Sequence, residues 1–157
     1  MATAHLIHGF LGAGKTTFAK RLEAELSAVR FTHDEWMASL YGEDSSAELF
    51  ASRHRKVWDL MQGTWARCLT LGVDVVLDLG FWTRAERDSV RSAAAAAGAR
   101  HRLYELTCPE PDAWRRIAAR NDNLQGSLLI TRNTFESLRS RFQPLDDDEE
   151  RVPRTGP

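Results

Sequence analysis

Apolar residues along the chain alternate between two patterns. Short apolar runs at residues 4–8, 29–33, 73–80 and 101–107 each predict a β-strand. Between these runs, apolar residues recur at spacings of three and four, which predicts helices. The longest helical stretch, residues 46–71, places Val57, Met61, Trp65 and Cys68 on one face. Strands that alternate with helices indicate right-handed crossovers and a parallel sheet.

The carboxyl-terminal half continues this pattern with further helices. Thr83 is a candidate cap of a helix that extends to Ala99, and two more helices are expected over residues 111–120 and 128–142, separated by a polar loop. We expect residues 1–145 to form one domain. Residues 146–157 are charged and interrupted by proline, so they are expected to form a flexible tail that adds at most an edge strand.

Residues 9–16, between the first strand and the first helix, read Gly-Phe-Leu-Gly-Ala-Gly-Lys-Thr. This sequence fits the P-loop pattern of a glycine, four residues, Gly-Lys and then Ser or Thr. Glycines allow successive N–H groups to form a concavity for phosphate oxygens at the positive end of the following helix. The residues expected to bind the nucleotide are Gly9, Gly12, Ala13, Gly14, Lys15, Thr16 and Thr17. Lys15 would act on the β- and γ-phosphates, and Thr16 would be a ligand of Mg²⁺.

The strand at residues 73–80 is nearly continuous in apolar residues and carries Asp78 close to its end. Such a run is typical of a central parallel strand covered on both faces. Ligands bind beyond the carboxyl ends of strands in open α/β sheets. Asp78 therefore matches a Walker B aspartate that holds Mg²⁺, directly or through water, although many buried strands also end in aspartate.

Composition excludes some classes of protein. A formal net charge of −1 argues against a strongly electrostatic nucleic-acid binder. Cys68 and Cys108 lack the spacing of metal ligands, so we expect reduced thiols. We find no export signal or membrane span in the sequence, which leads us to expect a cytoplasmic protein.

The order of these motifs resembles that of the small P-loop kinases. The P-loop is followed by Asp34 after the second strand, by Asp78 in the next strand, and by the stretch Arg116-Ile-Ala-Ala-Arg120-Asn121. The subgroup that it resembles contains zeta-toxin-like, chloramphenicol-phosphotransferase-like and polynucleotide 5′-hydroxyl kinase domains. The resemblance covers roughly residues 4 to 142. The resemblance implies an α/β P-loop NTPase fold, a three-layer sandwich with a short parallel sheet of four or five strands and a helical lid.

The same resemblance implies roles for three residues. Asp34 would be the general base that takes the proton of an acceptor hydroxyl, and the bland alternative is an ordinary helix cap. Arg116 and Arg120 lie four residues apart on one helical face and would form the cationic clamp of the lid; otherwise they belong to a solvated basic face.

We therefore expect an ATP- and Mg²⁺-dependent phosphotransferase that moves the γ-phosphate to a hydroxyl of a small molecule. The residue pairs Trp36-Met37 and Phe81-Trp82 are candidates for an acceptor pocket, whereas Trp58 and Trp65 suit core packing. One alternative is a nucleotide-binding NTPase or regulatory module without an acceptor. Polynucleotide 5′-kinase activity is less favoured, because Met37 occupies the position where that branch has a phosphate-binding arginine.

A further alternative is a GTPase, because the P-loop is also similar to that of the cobalamin-synthesis-type metal chaperones. The Cys-x-Cys-Cys and Asn-Lys-x-Asp motifs of that family do not occur in this chain. The sequence leaves the acceptor, the choice between ATP and GTP and the oligomeric state open.

Overall fold

The computed structural model of the chain describes residues 1–43 and 47–155. Within these residues the sheet has five strands, all parallel, in the order β2-β3-β1-β4-β5. The strands are β1 (Thr3–His8), β2 (Val29–Thr32), β3 (Val75–Gly80), β4 (Arg100–Thr107) and β5 (Val152–Thr155). The fifth strand, which the sequence left open, is therefore present and pairs with β4.

Six helices connect the strands in the described part of the chain. They are α1 (Lys15–Leu26), α2 (His33–Tyr41), α3 (Ala47–Thr70), α4 (Arg84–Ala96), α5 (Glu110–Asn121) and α6 (Arg132–Arg139). The expected start of α3 at Ser46 lies outside the described residues. Thr83 caps α4 as expected, because its side chain accepts a hydrogen bond from the N–H of Glu86 at 3.2 Å. No described helix is long and apolar enough to cross a membrane.

Helix α6 begins four residues later than the sequence predicted. Thr131 is its N-cap and accepts a hydrogen bond from the N–H of Thr134 at 3.2 Å. The preceding residues are irregular because the side chain of Asn121 bonds both the N–H and the carbonyl of Ile130, at 3.2 and 2.7 Å. This side-chain bonding replaces the helical bonds that the apolar spacing had suggested.

The sheet lies between two helical layers. Leu6 and Ile7 are adjacent in β1, are both fully buried and belong to opposite faces of the sheet. The Leu6 face packs with residues of α2, α3 and α4, including Met37, Trp65 and Val90, whereas the Ile7 face packs with α1. A third apolar cluster joins the P-loop residues Phe10 and Leu11 to α5 and α6. The predicted three-layer α/β sandwich is confirmed.

The carboxyl-terminal segment is held by a buried ion pair. Arg87 of α4 is fully buried and donates two hydrogen bonds to the carboxylate of Glu149, at 2.8 and 2.7 Å. The Arg87 guanidinium also donates to the carbonyls of Phe81 and Gln143. This pairing and the β4–β5 ladder give residues 146–155 a defined course, and β5 is the edge strand that the sequence allowed for this segment. Gly156 and Pro157 lie outside the described residues.

Candidate active site

The P-loop connects the end of β1 to the start of α1. Gly14 precedes the helix with a φ of 89°, and the N–H of Phe18 donates to its carbonyl at 3.0 Å. The amides of the first turn of α1 consequently have no acceptor within the helix and point out of its amino terminus. Gly12 has a φ of 77°, and a Cβ added there would lie 2.4 Å from the carbonyl oxygen of Ala113. Glycine at this position lets α5 lie directly on the loop.

Thr16 and Asp78, the two expected Mg²⁺ ligands, are in direct contact. The Thr16 hydroxyl donates a hydrogen bond of 2.7 Å to Oδ2 of Asp78, and the hydroxyl of Thr32 donates to the same oxygen at 3.2 Å. Asp78 is buried, and burial raises the pKa of its carboxyl group, against the opposing effects of Lys15 and Thr16. The first turn of α1 and the ends of β2 and β3 thus meet at this carboxylate.

Lys15 lies beside the same cluster. Its ammonium group donates a hydrogen bond of 3.0 Å to the carbonyl of Phe10 within the P-loop. Burial lowers the pKa of the Lys15 ammonium, whereas the charges of Asp78 and Asp34 act to raise it. The ammonium therefore lies close enough to both carboxylates to interact with their charges.

Asp34 is the second residue of α2, so it is not the N-cap of this helix, a position that Thr32 occupies. Its side chain is 53% exposed, which shows that the carboxylate opens into the site. Desolvation acts to raise the pKa of Asp34, but His33, Lys15 and Arg120 outweigh it and hold the pKa below its usual value. The Asp34 carboxylate is therefore ionised at neutral pH, as a general base must be.

The two candidate lid arginines are placed differently. Arg116 donates a hydrogen bond of 3.2 Å to the carbonyl of Gly12 and so fastens α5 to the P-loop. Arg120 is close enough to act on the pKa of both Lys15 and Asp34, and its buried Nε has no hydrogen-bond partner among the described residues. Of the two, Arg120 lines the cavity described below.

A cavity of about 440 Å³ brings these residues together. Its lining includes the P-loop residues Gly12, Gly14, Lys15, Thr16 and Thr17, together with Asp34, Asp78 and Arg120. Gly9 and Ala13, by contrast, do not line this cavity. A Cβ added at Gly9 would lie 2.9 Å from the carbonyl oxygen of Leu106. Ala13 lines a smaller cavity of about 250 Å³. The larger cavity thus has the P-loop and the carboxylates of Asp34 and Asp78 on its walls.

Several residues of this cavity were not predicted from the sequence. They are Glu43, Phe50 and His54 near the start of α3, and Leu129, Ile130, Thr134, Leu138 and Arg141 on or near α6. The ring of His54 lies 4.2 Å from that of His33, between centroids, and burial lowers the pKa of His54 to about 4. These positions belong to no motif, so only the packing of α3 and α6 over the sheet edge could reveal them.

Of the four residues in the two pairs that were candidates for an acceptor pocket, Trp82 lines the cavity. Phe81 and Met37 are fully buried in the core, and Trp36 packs against it. Trp65 belongs to the core, as its expected packing role requires, and Trp58 packs against it. The buried indole Nε1 of Trp82 has no hydrogen-bond partner in the described residues.

The Thr16–Asp78 pair has the chemistry of a magnesium site. Mg²⁺ prefers oxygen ligands and is usually held by one or two protein groups together with phosphates and water. Asp78 is buried and bonded to hydroxyls, and a divalent cation would stabilise its ionised form. The described residues contain no group of three or more His, Cys, Asp or Glu side chains that would hold a metal by themselves. The donor set therefore fits a metal ion that arrives with a nucleotide.

The fold and this loop define the chain as a P-loop protein with the architecture of the small P-loop kinases. A putative kinase from Chloroflexus aurantiacus j-10-fl is similar at a TM-score of 0.80 and 17% identity, over 98% of this chain and 88% of that chain. A sugar kinase from Janibacter sp. HTCC2649 is similar at a TM-score of 0.70 and 15% identity, over 99% of this chain and 86% of that chain. The Pnkp1/Rnl/Hen1 RNA repair complex contains a chain that is similar at a TM-score of 0.72 and 16% identity, over 89% of this chain and 43% of that chain. The predicted resemblance is confirmed at the level of the fold.

The sequence profile of the AAA domain family matches residues 5–145. Because the match spans most of the chain, the protein belongs to this family. No curated protein matches the sequence.

Proposed function

We propose that the protein is an ATP-dependent phosphotransferase that moves the γ-phosphate of ATP to a hydroxyl group of a small molecule. The observation that carries this proposal is the convergence of the P-loop, Asp34, Asp78 and Arg120 on one cavity. Phosphoryl transfer requires positioning and charge stabilisation more than covalent participation of the protein. The cavity offers a phosphate cradle and a carboxylate for the acceptor.

ATP would bind with its β- and γ-phosphates against the amides of the P-loop. Lys15 would exchange its hydrogen bond to Phe10 for contacts with phosphate oxygens, since its ammonium is already at the mouth of the loop. The guanidinium group of Arg120, which lines the cavity, would contact the γ-phosphate from the lid side. Together these donors would stabilise the charge that spreads over the transferring group.

Thr16 and Asp78 would hold Mg²⁺. The bound ion would bridge phosphate oxygens and neutralise the charge that develops on them. Thr32 keeps the Asp78 carboxylate in place from the neighbouring strand, at 3.2 Å.

Asp34 would orient the acceptor hydroxyl and accept its proton. The hydroxyl oxygen forms a bond to the γ-phosphorus, the bond from that phosphorus to the bridging oxygen breaks to give ADP, and the proton goes to Asp34. The low pKa of Asp34 fits a base that aligns the hydroxyl and takes its proton late.

The sugar kinase from Janibacter supports an acceptor of small size, as does the modest volume of the cavity. The test is to incubate the protein with γ-labelled ATP, Mg²⁺ and a panel of nucleosides, sugars and hydroxylated antibiotics. We expect the label in a phosphate ester of one class of acceptor. Label in inorganic phosphate alone would overturn the proposal and favour an NTPase or a regulatory module.

A further inference from the structure

The segment from the start of α5 to residue 141, just after α6, carries six arginines, which are Arg115, Arg116, Arg120, Arg132, Arg139 and Arg141. Four of them are paired with protein oxygens: Arg115 with Asp112, Arg116 with the carbonyl of Gly12, Arg132 with Glu136 and Arg139 with Glu110. The other two, Arg120 and Arg141, have no ion pair or side-chain hydrogen bond within residues 1–43 and 47–155. Both line the 440 Å³ cavity, so its walls carry two guanidinium groups available for ligand.

The two guanidinium groups are in different parts of the cavity. Arg120 lies near Lys15 and Asp34, on the P-loop side of the cavity. Arg141 follows α6 and lies two residues before Gln143, whose N–H donates to the carbonyl of Trp82 at 2.7 Å. Arg141 is therefore close to the wall that Trp82 forms.

The carboxylates near that wall already have partners. Glu86 accepts a hydrogen bond from the N–H of Thr83 at 3.1 Å as part of the cap of α4. Glu43 accepts one from the N–H of Gly126 at 2.8 Å and so joins the end of α2 to the loop before α6. Neither glutamate is bonded to Arg141, whose guanidinium group therefore stays available, and such a group is suited to bidentate binding of a carboxylate or phosphate.

The Trp82 wall adds an apolar surface, since the indole lines the cavity and packs against the cluster that contains Phe10 and Leu11. Leu138 and Ile130 line the same cavity and would cover the carbon skeleton of a compact ligand.

We propose that the phosphoryl acceptor is an alcohol that also bears an anionic group, a carboxylate or a phosphate, and that Arg141 binds this group on the side of the cavity that Trp82 lines. This inference rests on the proposed function, because it assigns the second substrate of the same site. The acceptor would lie with its hydroxyl at Asp34 and its anion at Arg141.

The test measures binding, without turnover, by calorimetry on the protein saturated with a non-hydrolysable ATP analogue and Mg²⁺. Two matched pairs of probes differ in one anionic group: glycerate against glycerol, and glucose 6-phosphate against glucose. We expect the charged member of at least one pair to bind about tenfold or more tightly than the neutral one, and the pair that shows the preference identifies the anion.

Three variants test whether this preference depends on Arg141. Arg141→Gln should reduce the preference to less than about threefold, and Arg141→Lys should retain part of it. Arg132→Gln, which changes an exposed arginine already paired with Glu136, is the matched control and should keep it in full. Thermal unfolding of each variant checks that the fold is intact.

Two results would overturn the inference: no preference for the charged probe in either pair, or a preference that Arg141→Gln leaves unchanged. A loss of affinity for the ATP analogue in Arg141→Gln that matches the loss for the charged probe would also overturn it, since Arg141 would then bind nucleotide. The outcome is separate from that of the proposed function. Arg141-dependent anion binding without any labelled ester, when glycerate and glucose 6-phosphate are also offered as acceptors in the transfer assay, would refute phosphotransfer and leave the anion site standing.

Discussion

The hydroxyl of Thr16 donates a 2.7 Å hydrogen bond to Oδ2 of Asp78, which joins the P-loop to the end of β3 across 62 residues of sequence. The register of β1 and β3, with Leu6 opposite Leu77, brings the two strand ends to the same edge of the sheet. The contact places a hydroxyl and a carboxylate where a metal ion bound to a triphosphate would lie.

Asp78→Asn should raise the Mg²⁺ concentration needed for half-maximal activity by about tenfold or more, since the amide keeps the contact with Thr16 but loses the negative charge. Titration of activity with Mg²⁺ at saturating ATP measures this. Asp59→Asn, at an exposed position of α3, is the control and should have the wild-type Mg²⁺ dependence. An unchanged Mg²⁺ dependence in Asp78→Asn would remove this carboxylate from the metal site.

Lys15→Ala should weaken ATP binding by about tenfold or more, because the loop loses its ammonium group while its amides remain. Lys20→Ala is the matched control: Lys20 lies on α1, one turn further on, with an exposed side chain near Glu35. Calorimetric titration with a non-hydrolysable analogue gives both affinities. Equal affinities in the two variants would contradict the phosphate cradle.

Asp34→Asn should lower kcat by about 10² or more and leave the affinity for ATP within a factor of about three, because the carboxylate serves the acceptor and not the nucleotide. The pKa of Asp34 is held below its usual value, so its ionisation should leave kcat/KM flat between pH 6 and 8. Steady-state kinetics over that range test both statements. Turnover of Asp34→Asn at the wild-type rate would exclude Asp34 as the base.

Glu149→Gln should reduce the free energy of unfolding by about 3 kcal/mol, because it leaves the guanidinium of Arg87 buried without its counter-charge. Desolvation opposes ionisation of Glu149, but the hydrogen bonds of Arg87 and the charges of Arg87 and Arg91 lower its pKa to about 2. The ionised carboxylate therefore stabilises the fold fully above pH 4.5, and this stabilisation is lost as the pH falls from 4.5 through 2.

Urea unfolding at several pH values measures this difference between wild type and Glu149→Gln, which should shrink with acidification. Asp147→Asn, at an exposed neighbouring position, should have wild-type stability at every pH. A loss of similar size in both variants would mean that net charge, and not the buried pair, is responsible.

Local pattern was enough to predict the layers of the fold and the phosphate loop. The glycines and Lys15 follow a fixed spacing, and the apolar run that ends near Asp78 indicates a central strand, so both could be identified without a structure. The start of α6 could not, because the side chain of Asn121 competes for the backbone of Ile130 from nine residues away.

The missed parts of the site depend on contacts between distant segments. Arg116 and Arg120 lie four residues apart on one face of α5. Arg116 nevertheless donates a hydrogen bond to the carbonyl of Gly12, whereas Arg120 lines the cavity. Glu149 belongs to an acidic run typical of a solvated tail, but Arg87 accommodates its carboxylate in the interior. Arg141 and His54 enter the cavity through the packing of α6 and α3, which no local pattern specifies.

The central claim is that one cavity binds the triphosphate at the P-loop and holds Asp34 against its terminal phosphate. A crystal structure with Mg²⁺ and a non-hydrolysable ATP analogue tests it most directly. We expect the phosphates on the amides of residues 12–16 and the Asp34 carboxylate within about 6 Å of the γ-phosphorus, with room for a hydroxyl between them. An empty P-loop, or Asp34 more than about 10 Å from that phosphorus, would contradict the account.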